Sequence, residues 1–263
     1  LLVSALLQGQ SNLSYVDPTI GGVGHILQPT RPTVHLPHSM LRSFPMKQDQ
    51  LDDQIHYFPL NMASHRVSFV FQFLPVSGKG DPWNERFTIE SEQSTPYYYQ
   101  ATSEMTYNRV EFTPAARSAM FQVTFSGDRG NCLRLGTLNQ EGEVVVNGRS
   151  VSGVDHFNGM KAYVYGEVDA EVTAVTYRGE DNKQVLLALE EKARTVRFKY
   201  GISYISEEQA KQNLYNEIPG WDFDAVKQQA YDAWDEVMSK INVEGGTEGQ
   251  KRVFYTALYR CCE

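Results

Sequence analysis

The sequence predicts a mainly β protein: an antiparallel β-sandwich, or supersandwich, followed by a short helical linker. About a dozen short strand-like runs lie between residues 66 and 205, and turn signals separate them. No helical pattern connects these runs, so the crossovers that a parallel sheet requires are lacking. Aromatic residues make up 12% of the 263-residue chain, which suits the half-buried surface of a pleated sheet.

Local patterns differ in strength along the sandwich. The clearest strand pattern is the alternating run at residues 66–74 (RVSFVFQFL). Asn147-Gly148 is the sharpest turn signal, because both residues tolerate the positive φ that a type I′ hairpin turn requires. Residues 15–64 are rich in Pro, His, Gly and Thr and weakly periodic, so we predict long loops with short strands there.

Helix-capping signals replace strand patterns near residue 206. The residues that carry them are Ser206 with Gln209, Asp222, and Thr247 with Gln250. They predict helices over residues 207–216 and 223–241 and a third helix that opens after Thr247. The third helix carries Phe254, Leu258 and Cys261 on one apolar stripe, which needs a partner. We therefore expect this helix either to fray or to pack on a neighbour, and a dimer through it is one form of the second outcome.

Three segments follow from these patterns. Residues 1–12 begin with an apolar run and continue with polar residues, as in the remnant of a secretion signal; a short packed strand or helix is the alternative. Residues 13–205 form the β-sandwich, and residues 206–263 form the helical linker and the first helix of a further domain. A signal remnant predicts a secreted or periplasmic protein. No segment approaches membrane-spanning length.

Composition excludes several classes of function. The formal net charge is −8 and no basic block stands out, so nucleic acid is not an expected partner. Three cysteines do not make a disulfide framework, and none has the spacing of a zinc site. Phosphate-loop, serine-hydrolase and zinc-protease motifs are also lacking. Nothing singles out a pair of catalytic carboxylates among the 32 acidic residues.

Histidines and one tryptophan are the remaining candidates for a binding site. Five of the six histidines fall within about forty residues: His25, His35, His38, His56 and His65. They could bind a metal, line a sugar pocket, or lie scattered in loops with separate partners. Trp83 follows Asp81-Pro82 in a loop, where it could stack on a sugar face or fold back on the sandwich.

Segments at both ends of the chain are similar to one enzyme family. They are residues 15–21 (YVDPTIG), 218–224 (IPGWDFD), 243–247 (VEGGT) and 254–259 (FYTALY). These segments resemble glycoside hydrolase family 92, the exo-acting α-mannosidases. The resemblance implies an N-terminal sandwich, a helical linker and a large (α/α)6 barrel. The barrel would carry the catalytic acid, the base and most ligands of a bound calcium, so no catalytic residue is expected in this chain.

Pocket motifs of the family match at specific positions. Gly24-His25 matches the family's glycine-histidine, and His56-Tyr57 resembles its Tyr-His-Tyr motif. Residues 77–80 match its Ser-Gly-x-Gly motif. The tryptophan expected ahead of His56 and the paired histidines expected before Ser77 are absent. With Trp83, these residues give five candidates for substrate binding: Gly24, His25, His56, Tyr57 and Trp83.

Several functions fit these observations. The first is the pocket-shaping part of a calcium-dependent, inverting α-mannosidase-like hydrolase that acts on mannose-containing glycans. Its missing barrel would be an intramolecular partner, and the chain alone would be inactive. The alternative is a carbohydrate-binding or surface-attached sandwich module without catalysis, because residues of the pocket rim differ from the family pattern. A scaffold without a ligand is a third reading.

Overall fold

The computed structural model describes residues 11–24, 30–64, 68–77, 80–127, 130–139, 141–179 and 181–263. Strands dominate these ranges up to residue 203 and α-helices follow, so the fold class predicted from the sequence is confirmed. The strands are β1 (Val34–His35), β2 (Arg42–Ser43), β3 (Gln54–Ile55), β4 (Phe58–Ser64), β5 (Ser68–Val76), β6 (Phe87–Ser94), β7 (Tyr99–Ser103), β8 (Arg109–Pro114), β9 (Ser118–Thr124), β10 (Cys132–Gly136), β11 (Gly142–Asn147), β12 (Ser150–Phe157), β13 (Met160–Val168), β14 (Val172–Arg178), β15 (Gln184–Leu189) and β16 (Thr195–Ser203). The helices are a 3-10 helix (Asn12–Tyr15), α1 (Glu207–Glu217), α2 (Phe223–Met238) and α3 (Glu248–Arg260).

Two large sheets form the sandwich. One has the order β11-β12-β13-β16-β9-β8-β7-β6-β3, and the other has the order β14-β15-β10-β5-β4. Every strand pairing within the described ranges is antiparallel. Residues 15–64 contain three two-residue strands, as predicted, and also the longer, seven-residue strand β4.

Aromatic rings join the two sheets. The ring of Phe121 on β9 stacks on Phe73 of β5 with centroids 4.3 Å apart, and it also contacts Phe58 at 5.4 Å and Phe112 at 4.8 Å. All four side chains are fully buried. Each such ring removes a large apolar area from water, and the offset contacts add to that stabilisation. The sheet faces are therefore held together mainly by apolar burial.

One buried carboxylate also links the sheets. Asp155 on β12 accepts hydrogen bonds from the backbone N–H of Phe71 (2.9 Å) and of Leu138 (2.9 Å). Phe71 has a φ of 54°, which is rare for a bulky residue inside a strand. The hydrogen bond from the Phe71 N–H to Asp155 stabilises this backbone conformation within β5.

Hairpin turns correct one detail of the sequence analysis. Asn147 pairs with Ser150, so the two turn residues are Gly148 and Arg149, and only Gly148 has a positive φ. This φ pattern is that of a type II′ turn rather than type I′. The type I′ pattern occurs instead at Asn158-Gly159, where both φ angles are positive. Both dipeptides mark hairpins, but strand register decides which residues enter the turn.

The caps predicted for the helices are largely present. Asp222 caps α2, and Thr247 with Gln250 forms a complete capping box on α3. Ser206 accepts from the Gln209 backbone, whereas the Gln209 side chain donates to Asn213 rather than completing a box. The helices end at Glu217 and Met238, close to their predicted ends.

Helix α3 packs on this chain's own N-terminal segment. Its buried residues are Tyr255, Thr256 and Tyr259, not the predicted stripe of Phe254, Leu258 and Cys261. Phe254 and Cys261 are exposed, and Leu258 is half-buried. The predicted stripe was wrong, because a tyrosine can bury its ring and still donate its hydroxyl to a carbonyl, and two tyrosines form the buried face.

The terminal helix is therefore neither frayed nor dependent on a second copy for a partner. The Tyr255 ring stacks on Tyr15 with centroids 5.6 Å apart, and the Tyr259 hydroxyl donates to the Thr33 carbonyl at 2.5 Å. The reason for expecting a dimer, an uncovered apolar face, now applies only to exposed residues such as Val253 and Phe254. The described residues therefore give no support for a dimer through this helix.

The structure describes only the last two residues of the predicted signal remnant, Ser11 and Asn12. Residues 1–10 of the predicted signal remnant lie outside the described ranges. Ser11 and Asn12 belong to the packed segment, because Ser11 caps the 3-10 helix and Asn12 Nδ2 donates to the Met238 carbonyl at 3.3 Å. None of the described helices has both the length and the apolar character needed to cross a bilayer.

Candidate functional site

A cavity of about 380 Å³ opens where the residues that follow β3 meet the loop before β6. Its lining residues come from four segments of the chain: His56, Tyr57, Gln72, Trp83, Asn84, Glu85, Arg86 and Arg134. We call it the His56 cavity. A second depression of about 550 Å³ adjoins it, because both are lined by His56, Tyr57 and Arg86. Together they form one polar groove with aromatic side chains in its wall.

The loop at residues 80–86 forms one side of this cavity. Asp81 shapes it, because Oδ1 accepts from the Trp83 backbone N–H at 3.1 Å and Oδ2 accepts from Asn84 Nδ2 at 2.6 Å. The bond from Asn84 holds the pKa of Asp81 below its ordinary value. Trp83 is half-buried, with the Arg178 guanidinium 5.8 Å from its ring centre. The tryptophan is therefore presented at the cavity wall and not in the sandwich core.

The opposite side of the cavity carries His56 and Tyr57. The His56 N–H donates to the Met46 carbonyl at 2.9 Å, and the Met46 N–H donates to the Tyr57 carbonyl at 2.9 Å. This reciprocal bridge fixes the backbone. Partial burial, helped by the nearby Arg86, lowers the pKa of His56 below its ordinary value. At neutral pH its imidazole is uncharged, so one ring nitrogen can donate and the other can accept a hydrogen bond.

Arg134 joins these two sides. Its guanidinium Nη1 lies 2.8 Å from the carbonyl oxygens of both Pro82 and Trp83 and 3.1 Å from that of Glu85. Nη2 donates to the His56 carbonyl at 3.0 Å. The side chain is only 5% exposed, and burial lowers its pKa. Sequence analysis missed Arg134, although an arginine between two leucines in a buried strand (CLRLG) is a detectable signal.

Two glutamates near the cavity have partners within the chain. Glu85 accepts from both the backbone N–H and the hydroxyl of Ser77, each at 2.8 Å. Farther along the sheet, Glu92 pairs with Lys47 at 2.9 Å and accepts from the Tyr99 hydroxyl at 2.8 Å. Glycoside hydrolysis needs one acid and one base that flank the bond. These two glutamates serve structural bonds.

The described residues offer no ready metal site. Within those ranges, no group of three or more His, Cys, Asp or Glu side chains converges in a way that could hold an ion. The described histidines of the predicted cluster also lie apart. His35 is buried between α2 and α3 against Trp234 and Tyr259, while His56 lines the cavity. His38 is exposed, with its N–H bonded to the Cys262 carbonyl.

The five candidate binding residues have different positions. His56, Tyr57 and Trp83 line the same cavity. Gly24 is described and half-buried, but it is not part of either cavity wall. His25 lies outside the described ranges. Sequence reasoning missed Arg86 and Gln72 as well as Arg134, because only the tertiary fold brings their segments to the Trp83 loop.

Two family models match the chain. The glycosyl hydrolase family 92 N-terminal domain matches residues 15–229, most of the chain. The chain belongs to glycosyl hydrolase family 92. The family 92 catalytic domain also matches, over residues 209–263. The two matches overlap at residues 209–229, which begin within α1.

Solved structures of family 92 enzymes share this fold. The inverting mannosidase BT2199 from Bacteroides thetaiotaomicron superposes with a TM-score of 0.88 at 21% identity, over 96% of this chain and 39% of that one. The glycosyl hydrolase ccman5 gives 0.83 at 17% identity, over 95% and 41%. The α-mannosidase BT3965 from the same Bacteroides gives 0.81 at 19% identity, over 96% and 41%. This family 92 chain therefore spans about two fifths of the enzymes it resembles.

One relative is similar in sequence over a short segment. A protein of Arthroderma benhamiae (strain ATCC MYA-4681 / CBS 112371), described as an uncharacterized secreted glycosidase, is 41% identical over 64 residues. The match covers 23% of this chain and 8% of that protein.

Proposed function

We propose that this chain is the N-terminal, pocket-shaping part of a family 92 α-mannosidase that acts on mannose-containing glycans. The observation that carries the proposal is the His56 cavity, where His56, Tyr57 and Trp83 come together. An aromatic ring beside hydrogen-bonding side chains is what a sugar needs, because its ring face is apolar and its rim is hydroxylated. The mannosidase names of the solved relatives support the choice of sugar.

The chemistry itself is assigned to residues outside this chain. Glu85 is held by Ser77 and Glu92 by Lys47 and Tyr99, so neither is poised as an acid or a base. We propose that the complete enzyme inverts the anomeric centre, as the name of BT2199 states for that protein, and that the chain alone does not hydrolyse glycosides. Calcium belongs to the proposal for the complete enzyme only. The described residues do not form a site that fits it, so no step is derived through it.

Domain boundaries and location complete the proposal. The sandwich would run to residue 205 and the linker with the first barrel helix from residue 206, supported by the change from strands to helices there. The remaining catalytic domain would be the intramolecular partner. Secretion or export to a periplasm is supported by the leader-like residues 1–12 and by the Arthroderma relative described as secreted.

Calorimetric titration of the chain tests the proposal. We expect methyl α-D-mannoside to bind, Trp83→Ala to abolish the heat signal, and methyl α-D-galactoside to bind much more weakly. No turnover of 4-nitrophenyl α-D-mannoside is expected from the chain alone. If this chain alone hydrolyses the mannoside, and substitution of one of its own residues abolishes that turnover, the proposal that the catalytic groups lie outside the chain fails.

A carbohydrate-binding module without catalysis is the second candidate. The bonds of Glu85 to Ser77 favour it, because they engage the described carboxylate that lines the His56 cavity. Assay of the longer protein distinguishes the two roles. If it binds mannosides through Trp83 but hydrolyses none, the binding role holds and the enzyme role fails.

A further inference from the structure

Arg134 is an unusual residue for its position. It lies on β10 between two buried leucines, in the sheet that packs against the aromatic core. Burying a guanidinium is unfavourable unless its N–H groups find acceptors. Among the described residues no carboxylate lies within ion-pair distance of it, and both oxygens of the nearby Glu85 accept from Ser77 instead. Its partners are backbone carbonyls.

The carbonyls that Arg134 contacts belong to two segments that are distant in sequence. Three are in the Trp83 loop, at Pro82, Trp83 and Glu85, and the fourth is that of His56. A planar guanidinium presents five N–H donors in fixed directions, so one side chain can address both segments at once. A lysine amine, with three donors on one atom, cannot span them in the same way.

We propose that Arg134 is the positioning residue of the sugar site: it sets the distance between the Trp83 loop and His56. The inference rests on the proposed function, which assigns those two residues to sugar binding. Glu85 and Asp81 fold the loop locally, at Ser77 and at Trp83, but they do not reach His56. Arg86 also donates to the Gln54 side chain at 3.4 Å, so Arg134 is the described side chain that bonds the Trp83 loop to His56 itself.

Lys199 provides a matched control. It is also a buried cation, 2% exposed, whose amine lies 3.2 Å and 3.3 Å from the carbonyl oxygens of Ile218 and Pro219. It therefore holds the turn between α1 and α2, which forms no part of the His56 cavity. Lys199→Met removes a buried cation, its carbonyl contacts and its ion pair with Glu167 (3.7 Å), without touching either wall of the site.

Three variants test the proposal: Arg134→Lys, Arg134→Met and Lys199→Met. Hydrogen–deuterium exchange of the peptides that cover residues 54–57 and 80–86 reports on the two walls without any sugar. Calorimetry with methyl α-D-mannoside reports on binding. We expect Arg134→Met to speed exchange in both peptides at least tenfold and to weaken binding at least tenfold. Arg134→Lys should show intermediate effects, and Lys199→Met should leave both readouts at the wild-type level.

Each outcome decides the question. The proposal fails if Arg134→Met keeps wild-type exchange at residues 80–86, or if Lys199→Met speeds that exchange equally. If Arg134→Met does not fold, Arg134→Lys decides by the same readouts. If the wild-type chain binds no mannoside, the proposed function fails, whereas faster exchange in both peptides still supports Arg134 as the residue that connects the walls.

Discussion

Two regions of the molecule, the His56 cavity and the contact beneath α3, are held in place by different means. At the His56 cavity, a buried arginine and short polar bonds hold exposed loops in place. Beneath α3, rings do most of this work: Trp234, Tyr255 and Tyr259 pack on the N-terminal segment, and Arg260 adds hydrogen bonds to the Pro18 and Arg31 carbonyls. A surface that must meet a ligand keeps its side chains accessible and fixes its backbone, whereas a structural contact buries the side chains themselves. Substitutions should therefore affect stability in one region and binding in the other.

The largest loss of stability is expected for Trp234→Ala. The Trp234 ring is fully buried against His35 and Tyr259, and its Nε1 donates to the His35 carbonyl at 2.6 Å. Removing such a ring costs about 3–5 kcal/mol, because it leaves a cavity and an unpaired carbonyl. Chemical denaturation checks this value. A loss below about 1 kcal/mol would mean that the helical region is not held by this cluster.

Acid should weaken the same cluster through His35. Burial lowers the pKa of His35 to about 4, from 6.5 for an exposed histidine, so the folded state keeps the ring neutral while the unfolded state takes up a proton. The stability that the neutral His35 contributes is fully present above about pH 6.5. It is lost as the pH drops towards 4, by about 3 kcal/mol in all. His35→Gln should flatten this part of the pH profile. An unchanged slope in His35→Gln would refute the assignment.

Tyr259→Phe should have a smaller effect. The hydroxyl donates to the Thr33 carbonyl and lies 2.7 Å from the Thr33 hydroxyl, so its removal leaves buried acceptors without a donor. The expected loss is about 1–2 kcal/mol by thermal or chemical denaturation. Tyr107→Phe, at an exposed tyrosine, should change stability by less than about 0.5 kcal/mol. Equal losses of stability in both variants would mean that the buried hydroxyl bond of Tyr259 contributes nothing to stability.

Trp83→Ala should change stability least and binding most. The Trp83 ring lies at a cavity wall and in none of the three hydrophobic clusters of the described residues, so its loss should alter the free energy of unfolding by about 0.5 kcal/mol or less. Mannoside binding, in contrast, should disappear. If Trp83→Ala destabilises the protein as much as Trp234→Ala, the Trp83 ring has a structural role. The contrast between the His56 cavity and the cluster beneath α3 would then fail.

The same contrast explains what could be predicted from the sequence. Asp222 and Thr247 cap their helices as predicted, because caps depend on residues three positions apart. The buried face of α3 was not predicted, because Tyr255 and Tyr259 are buried by residues more than 220 positions away in the chain. The cavity shows the same limit. Local motifs and family resemblance pointed to His56 and Tyr57, whereas Arg134 becomes meaningful only when strand β10 is beside the Trp83 loop.

Strand register sets a second limit. The Asn147-Gly148 signal identified a hairpin, but the pairing of Asn147 with Ser150 moved the turn by one residue. Turn chemistry depends on which residues are left unpaired, and cross-strand packing over the whole hairpin decides that. The order of the strands in the two sheets has no local signature and was not predicted.

Hydrogen–deuterium exchange with and without methyl α-D-mannoside tests the central claim most directly. We predict that the sugar slows exchange at residues 54–57 and 80–86 and leaves residues 248–260 of α3 unchanged. A separate cavity of about 430 Å³ near Glu141 and His156, whose side chains pair at 2.9 Å, serves as an internal control and should also be unaffected. Protection at α3 or at that cavity, with none in the Trp83 loop, would contradict the assignment of the sugar site.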